Sequence, residues 1–360
     1  MLDFPEVVKT VLRSSAQVGG VAGVARYQGA SVAVTVKDSG SITFRAEGEV
    51  QASGSITAIG VGNSLVPKSK TDPLAPYGQE LALFRTVRVR TSSWNIPLGV
   101  YRITSAGDES ERYRSNTVLG WSVEVGFSDR FKQIRDDDFL SVDAPVAGNS
   151  VWDEVRRLSP VAVQQTMGDA TVPAATTYDS RLGAITTLLA LLGGAPHLTR
   201  EGVLTARPRD AWLTATVPVF DINGTISWSS ELTDEFYNQV QVTSSSNKNV
   251  VAYASISNDG NPLSVGRAGG RTYKHSAPIY ETVAAAQAAA NTILARVSSR
   301  RSRLVSVECT PEALLLELGD FGWMRDPVQK RAVLGEVSAI DIPMDPTRPI
   351  KVQMIVAEEI

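Results

Sequence analysis

Cysteine occurs once in the 360 residues, at Cys309, and histidine twice, at His197 and His275. One thiol excludes an intrachain disulfide and a thiolate cage for zinc. Neither sign of charge is in excess. The 35 Lys and Arg against 38 Asp and Glu leave a formal net charge of -3, which argues against a dedicated duplex-DNA binder with its basic face. Long apolar runs are also missing: the longest, near Leu182 to Leu192, contains two threonines and is too short to span a bilayer. The start, Met1-Leu2-Asp3-Phe4-Pro5-Glu6, lacks the basic and apolar regions of a secretory signal. A soluble protein made in a reducing cytoplasm is expected, with two to four domains for this length. A chain this long buries enough surface to need no covalent staples.

Chemical motifs are equally scarce. There is no His-Glu-x-x-His, no Gly-x-Ser-x-Gly and no phosphate-binding Walker sequence. Gly60-Val61-Gly62 begins like a dinucleotide fingerprint but lacks the third glycine and the following helix, so it reads as a turn. Asp136-Asp137-Asp138 lacks the spaced oxygens, turn glycine and distal glutamate of a calcium loop and reads as a solvated loop. Arg300-Arg301-Ser302-Arg303 follows an alanine-rich segment. A cationic helix end against the negative end of the macrodipole is favoured there, with phosphate or partner contact as the other reading. Cys309 is expected buried and inert, and the two histidines are expected to be structural. Six tryptophans, at 94, 121, 152, 212, 228 and 323, read as one anchor per local core, although lectins of sandwich fold also use isolated tryptophans. No cofactor and no metal is expected, and no enzymatic activity.

What the chain does have is alternation. Val32, Val34 and Val36 lie on one face of an extended segment, as a half-buried strand requires. The pattern recurs over Ser41 to Ala46, Ser55 to Ile59, Leu81 to Val89, Val100 to Thr104 and Trp121 to Val125. Short strands separated by turn chemistry predict an antiparallel barrel or sandwich. After about Phe127 the period changes. Ser150 caps a helix from Val151 to Leu158, and Asp179 is expected to cap a second one ending at Leu192 before Gly193-Gly194. A hairpin is expected over Pro196 to Ala206. Alternation then resumes, with Asn223-Gly224 reading as a hairpin turn, strands at Phe236 to Thr243 and Val250 to Ser257, and a helix from Thr282 to Val297. Its buried stripe is expected to be Val283, Ala286, Ala290, Ile293, Leu294 and Val297. Leu304 to Val307, Phe321 to Met324, Ala332 to Ile340 and Ile350 to Val356 supply four closing strands. The class is therefore mainly β with α+β insertions.

Two proline- and glycine-marked stretches stand out: Asp72-Pro73-Leu74-Ala75-Pro76-Tyr77-Gly78 and Pro97-Leu98-Gly99-Val100-Tyr101-Arg102-Ile103. With Phe127-Ser128-Asp129-Arg130 and the run from Ala284 through Leu318-Gly319-Asp320, they resemble the hub or minor tail proteins of long-tailed actinobacteriophages. The resemblance implies two tail-tube-like antiparallel barrels in one chain, over 1–125 and over 213–245 with 302–360. It also implies an α/β middle domain over 126–212 and an accessory domain with the alanine-rich helix over 246–301. It further implies a homotrimer whose six barrels form a ring at the virion's tail tip, after synthesis in the host cytoplasm. The partners implied are tail tube, distal tail, tip or fibre and tape measure proteins, with DNA passing through the lumen. Such a lumen should be neutral to acidic, because a basic one would hold phosphates. Asp72, Pro73, Pro76, Tyr77, Gly78, Pro97 and Gly99 are the expected interface motif, against the plainer reading of a turn internal to one subunit. A tail-associated cell-wall hydrolase or a carbohydrate-binding receptor protein are the rival functions.

Overall fold

The computed structural model describes residues 1–14, 18–89, 91–114, 117–173, 176–209, 217–228, 236–277, 279–299 and 304–359. A short helix α1 (Glu6–Ser14) precedes six strands: β1 (Val18–Tyr27), β2 (Ala30–Arg45), β3 (Ala52–Gly60), β4 (Glu80–Val89), β5 (Ser92–Arg114) and β6 (Thr117–Asp129). They pair in the order β1-β4-β5-β6-β3-β2, and β2 pairs back onto β1, so the sheet closes. The alternation predicted from sequence is realised: Val34, Ile42, Ile56, Leu83, Val123 and Val125 point inward and are buried. A barrel of about eight strands is just wide enough for side chains to fill. Six strands therefore enclose a packed core and leave no bore.

The chain then leaves the barrel through α2 (Phe131–Asp136), α3 (Val151–Leu158), α4 (Arg181–Leu191) and the hairpin β7 (Gly194–Leu198) with β8 (Leu204–Pro208). These elements share a separate core around Trp152, Ile185 and Leu188. Ser150 Oγ caps α3 by accepting Asp153 N–H at 3.2 Å, as its sequence predicts. The cap of α4 is Ser180 rather than Asp179, its Oγ accepting Gly183 N–H. The shift is one residue, and both types serve as caps.

Next come β9 (Phe220–Trp228), β10 (Gln239–Ser244), β11 (Val251–Ser255), α5 (Val265–Ala268), β12 (Thr272–Ala277) and α6 (Val283–Ser299). Three of these strands form their own sheet, in the order β11-β10-β12, with α6 packed on one face through Ala286, Ala290 and Ile293. Alanine permits that close approach. Val283, expected in the buried stripe, is instead exposed at the first position of the helix. Among the described residues the strand β10, placed by the sequence reading within 213–245 of a barrel, pairs only inside this small sheet.

The last strands are β13 (Leu304–Cys309), β14 (Phe321–Asp326), β15 (Arg331–Pro343) and β16 (Ile350–Glu359). With β9 they run β15-β14-β9-β13-β16, and β16 pairs back onto β15, closing a second, five-stranded ring. Two features differ from expectation. Asn223-Gly224 is not a hairpin turn but the place where one continuous strand changes partners. Phe220 to Asn223 pair with β14, and Gly224 to Trp228 with β13. A Cβ on Gly224 would meet Val307 Cγ1 at 2.7 Å and Glu308 O at 2.8 Å, so the glycine answers a close strand approach rather than a turn. Moreover, the β9–β14 pair is parallel, so this ring is not wholly antiparallel.

The rings are joined. The first half of β2 pairs with β1, whereas Ser41 to Arg45 pair with Ala339 to Pro343 of β15. A bulge between Val36 and Gly40 allows the change of partner. Gly40 has φ +98°, and a Cβ there would lie 2.1 Å from Ser55 O, so only glycine fits. Across the seam, Arg85 is buried and donates from Nη2 to Pro343 O and to Met344 O at 2.9 Å. Burial lowers its pKa to about 10. One hydrophobic core runs through both rings, from Val34 and Ile56 to Val337 and Met354.

Candidate assembly surface

The first candidate stretch lies between β3 and β4 and is held by its own polar groups. Asp72 Oδ2 accepts Lys68 N–H at 2.6 Å and Ser69 N–H at 2.7 Å, and Oδ1 accepts the Ser69 hydroxyl at 2.8 Å. These bonds, led by that from Lys68, keep the Asp72 carboxyl below its usual range. Gln79, fully buried, donates to Lys70 O and Asp72 O and accepts Tyr77 N–H at 2.9 Å. Pro73 and Pro76 flank Leu74 and Ala75, which are buried. Gly78 has φ +113°. Tyr77 is left 57% exposed, with Lys70 Nζ 5.6 Å from its ring centroid. The motif thus builds a fixed support for one exposed aromatic ring.

Beside this loop, β5 and β6 continue past the barrel. Arg112 to Arg114 and Thr117 to Gly120 pair with each other as a projecting ribbon, and Val118 O also accepts Gly62 N–H at 3.2 Å. It is tied to the loop, since Lys68 Nζ meets Glu111 Oε2 at 3.0 Å and Tyr113 OH donates to the same carboxylate. Hydrogen bonds from Ser64, Tyr113 and Lys68 depress the Glu111 pKa to about 2. Val61, Tyr77, Tyr113 and Leu119 are all more than half exposed on this loop and ribbon. They are large apolar side chains that the first barrel leaves exposed.

Pro97 and Gly99 lie elsewhere, at a bulge of β5 where Leu83 opposes Gly99 and Phe84 opposes Pro97. Tyr101 folds back over Gly99 and donates its hydroxyl to Leu98 O at 2.6 Å. The same carbonyl accepts Arg200 Nη1 at 2.9 Å, while Arg200 Nη2 reaches Leu316 O at 2.7 Å. The guanidinium sits 4.1 Å from the Phe44 ring centroid and is buried. Arg200, from the β7–β8 turn, therefore bolts the middle unit to both rings at once. Pro97 and Gly99 shape this internal joint, so the structure does not bring the seven predicted residues to one place.

The joint has further ties. Arg130 makes a two-point contact with Glu80 and donates to Gly202 O at 2.9 Å. Gln51 Nε2 donates to Pro196 O at 2.9 Å. His197 Nε2 is 3.6 Å from Glu317 Oε1. Asp129, at the exit of β6, accepts Ala52 N–H at 2.6 Å and Phe131 N–H at 3.0 Å. A cavity of about 30 Å³ lies among Gln51, Asp129, His197 and Arg200. Arg200 and Gln79 were not singled out by sequence reasoning. An arginine one residue before Glu-Gly in a turn carries no local mark of a buried contact partner.

Burial dominates at Asp129 and raises its pKa to about 7 despite the two N–H donors. The sign follows from proton linkage. Between the unfolded value near 4 and the folded value the native state holds an extra proton, so stability falls as pH rises. The gap of about three units corresponds to about 4 kcal/mol. Asp129→Asn removes the titration, so wild type should lose stability relative to the variant between pH 4.5 and pH 8 in urea unfolding. A pH-independent difference would refute the assignment.

Cys309 is buried, its thiol pKa pushed up to about 12 by burial. His275 stacks edge-on against Tyr280 at 5.8 Å, with its pKa lowered by burial and then by Arg296 and Arg209. Asp136 pairs with Lys132, and Asp138 accepts Arg181 N–H. No group of three metal-binding side chains occurs among the described residues. Among them, too, no helix is long and apolar enough to cross a membrane. Arg300-Arg301-Ser302-Arg303 and Trp212 lie outside the described residues.

No family model and no curated protein matches the chain. Solved structures do. A tail protein from Neisseria meningitidis MC58 aligns over 93% of this chain and 96% of its own, at TM-score 0.60 and 14% identity. The 43 kDa tail protein of prophage MuSo2 from Shewanella oneidensis aligns over 93% and 98%, at TM-score 0.56 and 12% identity. Prophage tail protein gp18 from Listeria monocytogenes EGD-e aligns over 93% and 94%, at TM-score 0.53 and 9% identity. The chain has the fold of phage tail proteins. This tail-protein fold extends over nearly the whole length, and it agrees with the resemblance drawn from the sequence.

Proposed function

We propose that the chain is a structural subunit of a phage tail tip, a hub of which three copies set six barrels in a ring around the DNA channel. The observation that carries this reading is the seam between β2 and β15, which makes two closed barrels one rigid body. A subunit with two barrels converts threefold repetition into a sixfold-like annulus, as a junction between a hexameric tube and a threefold tip needs. One packed core fills both barrels, so on this reading the channel lies between barrels and is bounded by several copies. Contacts of this heterologous kind close into rings.

The loop and ribbon that carry Val61, Tyr77, Tyr113 and Leu119 are the surface assigned to a neighbouring tail component. Its apolar side chains are exposed on a loop and ribbon that are locked in place. Fixed exposed aromatics suit a permanent interface, where little ordering entropy is lost on docking. Tail tube, distal tail, tip or fibre and tape measure proteins are the partners of this reading, and the tail tip of the virion is the location. Native mass spectrometry of the purified chain, alone and with tail-tube subunits, tests it. A trimer, or a ring formed with those subunits, is the expected mass. A monomer under every condition would rule the hub out.

A further inference from the structure

Among the described residues, the small sheet leaves one edge open. Arg271 O accepts Asn238 and Gln239 N–H, and Ala277 O accepts Ser245 N–H. The parallel register Gln239↔Thr272 to Ser244↔Ala277 therefore turns Arg271, Tyr273, His275 and Ala277 toward β10. Strand geometry then aims the backbone groups of Thr272, Lys274 and Ser276 the other way. All three residues are exposed, and among the described residues no backbone group of theirs has a partner outside β10. The opposite edge differs, because Gln287 Nε2 of α6 covers Tyr253 O at 2.8 Å.

Nothing in β12 blunts its edge by shape. The strand Thr-Tyr-Lys-His-Ser-Ala holds no proline and no bulge, and its outward side chains are two hydroxyls and one lysine. Several arginines lie near the strand. Arg296 and Arg209 lie close enough to lower the His275 pKa, and Arg267 and Arg271 precede the strand. Lys274 itself makes no ion pair among the described residues.

We infer that the free edge of β12 is a docking site for an extended, acidic segment of another protein, added as a fourth strand to the accessory sheet. Backbone pairing to residues 272, 274 and 276 supplies the binding, as in other strand additions. A carboxylate opposite Lys274 supplies the choice of partner, since opposite charges facing across a strand pair are favourable and like charges are not. The inference concerns the accessory sheet alone and does not depend on the ring.

The test uses the full chain and two labelled octapeptides, one alternating valine with glutamate and one alternating valine with lysine. Fluorescence anisotropy should show saturable binding of the glutamate peptide only. Hydrogen exchange of the Thr272, Lys274 and Ser276 amides should slow in its presence. Lys274→Glu should weaken that binding about fivefold, and Lys274→Pro should abolish it by removing an outward N–H, with circular dichroism reporting that each variant is folded. Equal binding of both peptides, or binding without slowed exchange at those three amides, would overturn the inference. If Lys274→Pro unfolds the accessory sheet, the Lys274→Glu result and the exchange data decide alone.

Discussion

Replacing Gly54 by alanine should cost at least about 3 kcal/mol and leave little folded chain at 37 °C. A Cβ at this position would lie 2.1 Å from Ser41 O and 3.0 Å from Phe127 Cζ. Gly54 sits opposite Ile42 on β3, and Ile42 in turn faces Ile342 of the second ring. Relief of the clash must push apart the same stretch of β2 that carries the seam. Gly40→Ala should behave alike, for it combines the 2.1 Å approach to Ser55 O with a φ of +98°. Gly29→Ala is the comparison: its φ is +83° but nothing lies within 4 Å of the added carbon. That variant bears only the left-handed backbone term, about 1 kcal/mol. Equal losses in Gly29, Gly40 and Gly54 variants, measured by urea unfolding, would show that the seam is not tightly packed.

Arg200→Met should destabilise the chain by about 4 kcal/mol and loosen the middle unit from the rings. Methionine fills much of the volume but leaves Leu316 O without its donor and Leu98 O with the Tyr101 hydroxyl alone. Bonds to a charged donor contribute about 1.5–3 kcal/mol each, and a buried acceptor left unmet adds its own cost. Arg200→Lys should recover less than half, because one ammonium cannot span two carbonyls in the fork geometry of a guanidinium stacked on Phe44. Limited proteolysis at the 130–150 connection should accelerate in both variants. A stability within about 0.5 kcal/mol of wild type would mean that the joint is held by something other than Arg200.

The strand-forming parts of this fold were legible because each half-buried strand writes its own period of two. Val34 and Val36, or Leu81 and Leu83, need no distant information to declare a face. Helix α3 was readable from Ser150 and its apolar stripe for the same reason. What failed was whatever depends on distant neighbours. Asn223-Gly224 has the chemistry of a turn, but β13 approaches so closely that glycine is needed within a strand. Membership of β10 in the small sheet depends on β12, more than thirty residues further on, and alternation is silent about partners. The interface motif divided in the same way. Asp72 to Gly78 form one local unit with a legible turn logic. Pro97 and Gly99 belong to a joint whose keystone, Arg200, lies 102 residues from the carbonyl it binds.

Electron microscopy of the species assembled at high concentration, or with tail-tube subunits, tests the central claim most directly. Top views averaged without imposed symmetry should show six lobes around an open centre, with alternate lobes differing because five and six strands build unequal barrels. Particles with a single lobe per subunit, or with lobes that do not enclose an opening, would contradict the ring.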